Sequence, residues 1–257
     1  MDEPSFDLKS EKSNILKAAE AELKDPARRR LFGNVLTLGG LTLATGVVMS
    51  SGVKVEDMLR QISRFNDKAQ AFIFDPKDMA PEYPDSMIKK PFPYNAFYGE
   101  DKVPHVDGES FRLKLSGLIA DKTPWSLEQL NALPQVSQVT RHICVEGWSA
   151  IGKWGGVRFS DFLKRIGADT TAKYIGFKCA DDYFTSIDMP TALHAQTLLT
   201  LSFDGQTLPP KYGFPMKLRM PTKLGYKNPK LIMEIFVTNV YPGGYWENIG
   251  YNWFGGS

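Results

Sequence analysis

A chain of 257 residues, 42% hydrophobic and 12% aromatic, is long enough to bury one sizeable core. Its 31 basic and 29 acidic side chains leave a net charge of +2, which excludes a global field of the kind that draws a protein to nucleic acid, while local basic clusters stay free to hold a small anion. Cys144 and Cys179 are the only cysteines, too few for a disulfide scaffold and without the paired spacings of a zinc or iron–sulfur site.

In chain order, a polar leader over residues 1–27 gives way to ARRRLFGNVLTLGGLTLATGVVMSSG, where arginines precede an uncharged run over residues 31–52. Arg28 and Arg29 followed by Leu31-Phe32 resemble a twin-arginine signal, so residues 28–52 are expected to be a signal or an anchor. No A-x-A site follows the run, so the expected location is the periplasm, either soluble or tethered to the inner membrane by an uncleaved signal. Residues 53–80 form a connector with a short amphipathic stretch, and APEYPDSMIKKPFPYNAFYG is too rich in Pro and aromatics for long regular elements. Strands follow at Phe111–Leu118, at YIGFKC from Tyr174, at LLTLSF from Leu198, at Met216–Met220 and from Leu231. Helices are short: SLEQLNAL, capped by Ser126, and RFSDFLKRIGA, ended by Gly167. One mixed, strand-rich α+β domain over residues 81–257 accounts for these elements.

The stretch most informative about chemistry is RHICVEGWSAIGKWGGVRFSDFL, residues 141–163. Cys144 follows Arg141-His142 and precedes a Gly- and Trp-rich turn; nearby positive groups favour a thiolate, the form that ligates a metal or attacks carbon. Chemistry alone leaves both uses open. In MKLRM a period of two puts Lys217 and Arg219 on one strand face, with Lys223, Lys227 and Lys230 in the loop that follows.

R-x-x-C-V-E-G-W-S followed by W-x-G-V and a D-F-L helix start resembles the metal-ligand segment of the sulfite-oxidase superfamily, which includes the periplasmic protein-methionine-sulfoxide reductases. PYNAFYGE at 93–100 resembles that family's Y-N-x-F-Y segment, and residues 208–230 resemble its phosphate-holding segment. The tail GGYWENIGYNW is also similar. This resemblance covers about residues 81–257 and implies a sulfite-oxidase-type molybdopterin-binding fold. It implies a molybdenum–molybdopterin cofactor with Cys144 as the metal's protein ligand. Asn95 and Tyr98, with Gly99 adjacent, then contact the pterin, and Lys217, Arg219 and Lys230 hold the phosphate. Tyr212 stands where relatives carry asparagine, Lys217 where they carry arginine, and Cys179 where they carry threonine beside the cofactor. Arg141 is expected to bias the thiolate or the substrate, and His105 either hydrogen-bonds the cofactor or is a surface-loop histidine.

The implied activity is oxygen-atom transfer at molybdenum, either reduction of a sulfoxide or other oxide, or sulfite-like oxidation. Reduction is favoured, because the C-terminal dimer domain of sulfite oxidases has no counterpart here. No C-x-x-C-H haem site, iron–sulfur cysteine set or G-x-G-x-x-G turn for a flavin or NAD is found, so electrons are expected to pass to or from a separate cytochrome or membrane redox protein. Two other readings compete: a hydrolase or transferase with Cys144 as nucleophile and His142, His105 or His194 as base, and a non-catalytic periplasmic anion-binding module.

Overall fold

The computed structural model describes residues 55–257. The leader and the arginine-led uncharged run lie outside the described residues. The chain divides into two compact units, residues 1–62 and 63–257. Only the opening turns of helix α1 (Val55–Ile73) are described for the first; this helix is the amphipathic stretch expected in the connector.

Beyond α1 the elements are β1 (Arg112–Gly117), β2 (Trp125–Ser126), α2 (Leu127–Asn131), β3 (Val136–Ile143), β4 (Ser149–Arg158), α3 (Phe159–Arg165), β5 (Tyr174–Cys179), β6 (Phe184–Asp188), α4 (Met189–Leu193), β7 (Leu198–Phe203), β8 (Gln206–Thr207), β9 (Lys217–Arg219), β10 (Ile232–Thr238) and α5 (Tyr245–Asn248). They make two sheets. One runs β2-β1-β10-β5-β6, parallel only between β1 and β10; the other runs β3-β4-β7-β8, with β9 also pairing to β7. The strand-rich α+β class read from the sequence is the class observed. Five strands escaped the sequence reading: β3 and the glycine-bearing β4, which form a hairpin, β6, and the two-residue strands β2 and β8.

Alternation explains the core. Leu113 and Leu115 from β1, Ile175 and Phe177 from β5, Ile235 and Val237 from β10, and Leu199 and Leu201 from β7 are all buried in one cluster. Helix α3 follows β4 directly and closes the core with Phe159, Phe162 and Leu163; Gly167 at φ +62° ends it. Ser126 caps α2 through a reciprocal capping box with Gln129. A smaller cluster of Phe92, Ala150, Trp154, Leu208 and Tyr212 fills the far end of the second sheet.

Phe162 is fully buried and meets Trp125 edge-on at 5.3 Å. Phe162→Ala is therefore expected to cost about 3–5 kcal/mol, read by urea unfolding; a loss below about 1 kcal/mol would place this cluster outside the cooperative core.

Candidate active site

The hairpin places Cys144. Strand β3 ends at Ile143, the chain turns, and the Cys144 amide donates to the Trp148 carbonyl at 2.9 Å, with Gly147 at φ +93° completing the turn. Along β3 the side chains alternate, so buried His142 and Cys144 point one way while Arg141 and Ile143 point the other. Arg141 and Ile143 border a separate cleft of about 510 Å³ with Phe74, Pro221, Thr222 and Phe254. Cys144 instead lines a cleft of about 150 Å³, smaller but chemically richer, with Asn95, Asp181, Gly225, Asn228 and Lys230. The expected role of Arg141 beside the thiol is thus corrected. Its contribution to the site is its backbone carbonyl, which accepts from Arg219 Nη2 at 2.7 Å.

The thiol itself also departs from expectation. Burial and the neighbouring Glu146 push the Cys144 thiol up, not down. Its Sγ lies 3.6 Å from Glu146 Oε2, which also accepts from Trp148 Nε1 at 2.9 Å. His142 gives no help: burial, then Lys217, Arg219 and Lys230, hold its imidazole well below the usual range. Asn95 links the two residues, with Nδ2 3.3 Å from His142 Nε2 and 3.5 Å from Cys144 Sγ. No histidine among the described residues is hydrogen-bonded to the thiol.

Behind the cysteine lies a cationic cluster. Lys217 and Arg219 share a face of β9, as their spacing predicts, and both lie over Trp154, at 5.2 and 5.8 Å from the ring centre. Arg219 is fully buried; its Nη atoms donate to Asn228 Oδ1, Thr140 Oγ1 and the Arg141 carbonyl, while Nε has no partner. Lys230 Nζ donates to the carbonyl of Asn95 at 2.5 Å and lies 4.8 Å over Tyr94. Among the described residues no carboxylate forms an ion pair with Lys217, Arg219 or Lys230. Burial depresses all three, Arg219 to about 9 and Lys230 to about 8, and Lys217 is lowered further by its two cationic neighbours.

Other expected residues lie elsewhere. The Tyr212 hydroxyl donates to the Phe92 carbonyl at 2.7 Å inside the small aromatic cluster, so it packs there and offers no free hydrogen to a cofactor. Tyr98 donates to Asp181 Oδ2 at 2.7 Å, at the rim of the cleft, and Gly99 is exposed beyond it. Cys179 is a buried core residue whose thiol burial raises strongly; Lys230 acts on it electrostatically, yet it does not border the cleft. His105 is exposed. Lys223 is enclosed by Phe74 and Phe254, and Lys227 pairs with Glu247, both side chains being almost fully buried, so neither joins Lys230.

Sequence reasoning missed Asn228 and Gly225. Asn228 Oδ1 accepts from the Met220 amide at 2.6 Å and Nδ2 donates to the Leu224 carbonyl at 2.9 Å, which shapes the whole 220–228 loop; an Asn-Pro pair in a Gly-interrupted stretch was the available signal. A side chain at Gly225 would come within 2.8 Å of His142 Nε2 and 3.0 Å of Asn95 Nδ2, so only glycine fits. Phe97, Trp246 and Tyr251 form the rim, with Phe97 stacked on Tyr245 at 4.9 Å.

Fold and site together define a protein that holds an anionic group on buried cations, with a single thiol set beside it. The comparisons agree. The model of the oxidoreductase molybdopterin-binding domain matches residues 100–246, and the chain belongs to that family of molybdopterin-binding oxidoreductases. It is 66% identical over 232 residues, 90% of this chain and 88% of the other, to an Azospira oryzae protein provisionally named protein-methionine-sulfoxide reductase subunit YedZ1. It is 28% identical to the protein-methionine-sulfoxide reductase catalytic subunit MsrP of Burkholderia mallei, over 89% of this chain and 74% of that one. The sulfane dehydrogenase SoxCD of Paracoccus pantotrophus shares the fold at a TM-score of 0.50 and 17% identity, over 54% of this chain and 40% of that chain.

Anion-free protein should register the buried ammoniums. Lys230 is held down to about 8 and Lys223 to about 7, mainly by burial, against an ordinary 10.5. The folded chain then binds fewer protons than the unfolded one between those values, so its stability rises with pH across that window. Urea unfolding of cofactor-free protein between about pH 7 and 8, below the range in which the cysteines and tyrosines titrate, measures this; a flat or falling profile there would contradict the depression of these two buried ammoniums.

Proposed function

We propose that the chain reduces the sulfoxide of methionine residues, with two electrons delivered singly by a separate membrane cytochrome or other redox protein. The reaction balances as sulfoxide plus two protons and two electrons giving thioether and water. The observation that carries the cofactor assignment is the counter-ion deficit: Lys217 and Arg219 are buried, half-buried Lys230 acts electrostatically on Lys217, and among the described residues none of the three forms an ion pair with a carboxylate. Burying such charges costs several kcal/mol each unless an anion joins them. A phosphate monoester meets that need, and Arg219 Nε, His142 Nδ1 and the glycine-lined approach at Gly225 are donors and space still to be used. Among the described residues no group of three or more His, Cys, Asp and Glu is gathered to hold a metal alone. A lone soft thiolate therefore suits a metal that brings its other sulfur ligands with it. These residues fit molybdenum–molybdopterin.

In this reading Cys144 is the protein ligand, Asn95 holds its orientation, Lys217, Arg219 and Lys230 hold the phosphate, and Tyr98 braces the rim through Asp181. The bound group supplies the two-electron redox change and the acceptance of the substrate's oxygen. Because Cys144 is a thiol in the folded chain, ligation must release its proton, and Glu146 Oε2 is the acceptor at hand. Phe97, Val145, Trp246 and Tyr251 give the mouth an apolar, partly exposed lining that takes a thioether side chain displayed on another protein's surface. The relatives' names as methionine-sulfoxide reductase subunits support this substrate. The cysteine-nucleophile alternative lacks its histidine base, since His142 Nε2 meets Asn95 and no described histidine is hydrogen-bonded to the thiol.

The arginine-led run over residues 28–52 supports export of the folded, loaded protein by the twin-arginine route to the periplasm, with the run retained as a tether. Exchanging Arg28 and Arg29 for lysine is expected to leave the protein in the cytoplasmic fraction; undiminished periplasmic recovery would refute that route.

The test of function is metal and pterin content in protein from a cofactor-making host, followed by reduction of methionine sulfoxide with a viologen donor. Wild type should carry both in stoichiometric amount, Cys144→Ala should lose activity by at least about a thousandfold with an altered metal spectrum, and Lys217→Met with Arg219→Met should lose the pterin itself. Folded wild-type protein that carries neither group, or that oxidises sulfite and leaves methionine sulfoxide untouched, sinks the reading.

A further inference from the structure

Helix α1 from Ser63 onward is packed the reverse of a helix in a soluble domain. Two of its polar positions meet the protein: Asp67 Oδ1 accepts from the Phe254 amide at 2.9 Å and Gln70 Oε1 from the Gly256 amide at 3.4 Å. Its large apolar positions face outward. Phe65 is 70% exposed, Phe72 91% and Ile73 80%. Phe65 and Phe72 are seven residues apart, two helical turns, and so lie on one side of the helix, away from Asp67. Scattered exposed apolar residues need no explanation, but large ones aligned on one face mark an interaction surface.

The occupant follows from what precedes the helix. Residues 31–52 carry no charge, and only Val53 and Lys54 separate them from Val55. A stretch of roughly twenty uncharged residues matches the hydrocarbon thickness of a bilayer. With two residues between that run and α1, a run held in a bilayer would keep α1 close to the headgroups. Among the described residues no helix is long and apolar enough to cross a membrane, and an amphipathic helix of that kind lies along the interface with its apolar face a few ångströms below it. We propose that Phe65, Phe72 and Ile73 of α1 insert into the headgroup–acyl boundary of a bilayer and hold the folded unit against the membrane surface.

The inference is independent of the catalytic reading, and its test uses no activity. In full-length cofactor-loaded protein, Phe72→Cys is labelled with an environment-sensitive nitrobenzoxadiazole dye, and Glu109→Cys, on exposed chain outside α1, serves as control. Identically treated wild type gives the background from Cys144 and Cys179. Vesicles of phosphatidylethanolamine and phosphatidylglycerol are then added. The expected result is a blue shift and intensity rise at position 72 and none at 109, with Phe65→Glu weakening the apparent partition by about tenfold or more. Dye at 72 that stays water-exposed while the protein floats with the vesicles overturns the proposal, since the upstream run alone then carries the attachment. A shift at 72 that appears without vesicles and tracks dimer formation in ultracentrifugation also overturns it and makes the face a contact between two copies.

Discussion

Three neighbouring cationic side chains that form no ion pair with a carboxylate among the described residues are the constraint around which the site is arranged. Lys217 and Arg219 sit on the short strand β9, held by its pairing to β7, and Lys230, at the end of the following loop, lines the cleft and acts electrostatically on Lys217. Like charges at such range repel strongly when water is removed. The cation–π contacts to Trp154 and Tyr94 soften the repulsion without cancelling it, and Asp181 offsets it at Lys230 alone.

Several otherwise unrelated features converge on that space. Asn95, from the irregular Pro- and aromatic-rich segment, ties three parts of the chain together: its carbonyl accepts from Lys230, and its amide meets both His142 and Cys144. Asn228 plays the equivalent role within the loop, bonding Arg219 and the loop's own backbone. The C-terminal aromatic rim is anchored from below by the buried Lys227–Glu247 pair, with Thr185 donating to Glu247 and Lys227 donating to the Ser186 carbonyl. That pair has its counter-charge within the protein. Lys227 is thus neutralised internally, whereas Lys217 forms no ion pair among the described residues, a difference between lysines that look alike in sequence.

The thiol follows the same logic. An unligated Cys144 with its proton raised by burial and by Glu146 is poorly suited to attack carbon at neutral pH. Coordination to a metal removes that penalty, because the metal's charge then stabilises the thiolate. A cysteine that looks inert in the protein alone is thus the appropriate partner for a metal that arrives on an anionic organic scaffold.

The chain by itself determined the strand-rich α+β class, the strands whose apolar residues alternate, the caps of α2 and α3, and the grouping of Cys144, Asn95, Lys217, Arg219 and Lys230 as a site. Alternation and capping are local, and the site residues stand in contiguous motifs similar to those of a known family. Only the tertiary structure decided which neighbours in sequence are neighbours in space. Arg141 stands three residues before Cys144, yet strand pleating turns it into another cleft, and Lys223 and Lys227 leave the cationic cluster because the loop curls each toward its own partner. Tyr212 spends its hydroxyl on the Phe92 carbonyl, and Cys144 is raised by burial that no linear spacing reveals. Direction of side chains, burial and counter-charge are properties of the packed chain, and they convert a list of reactive residues into a site.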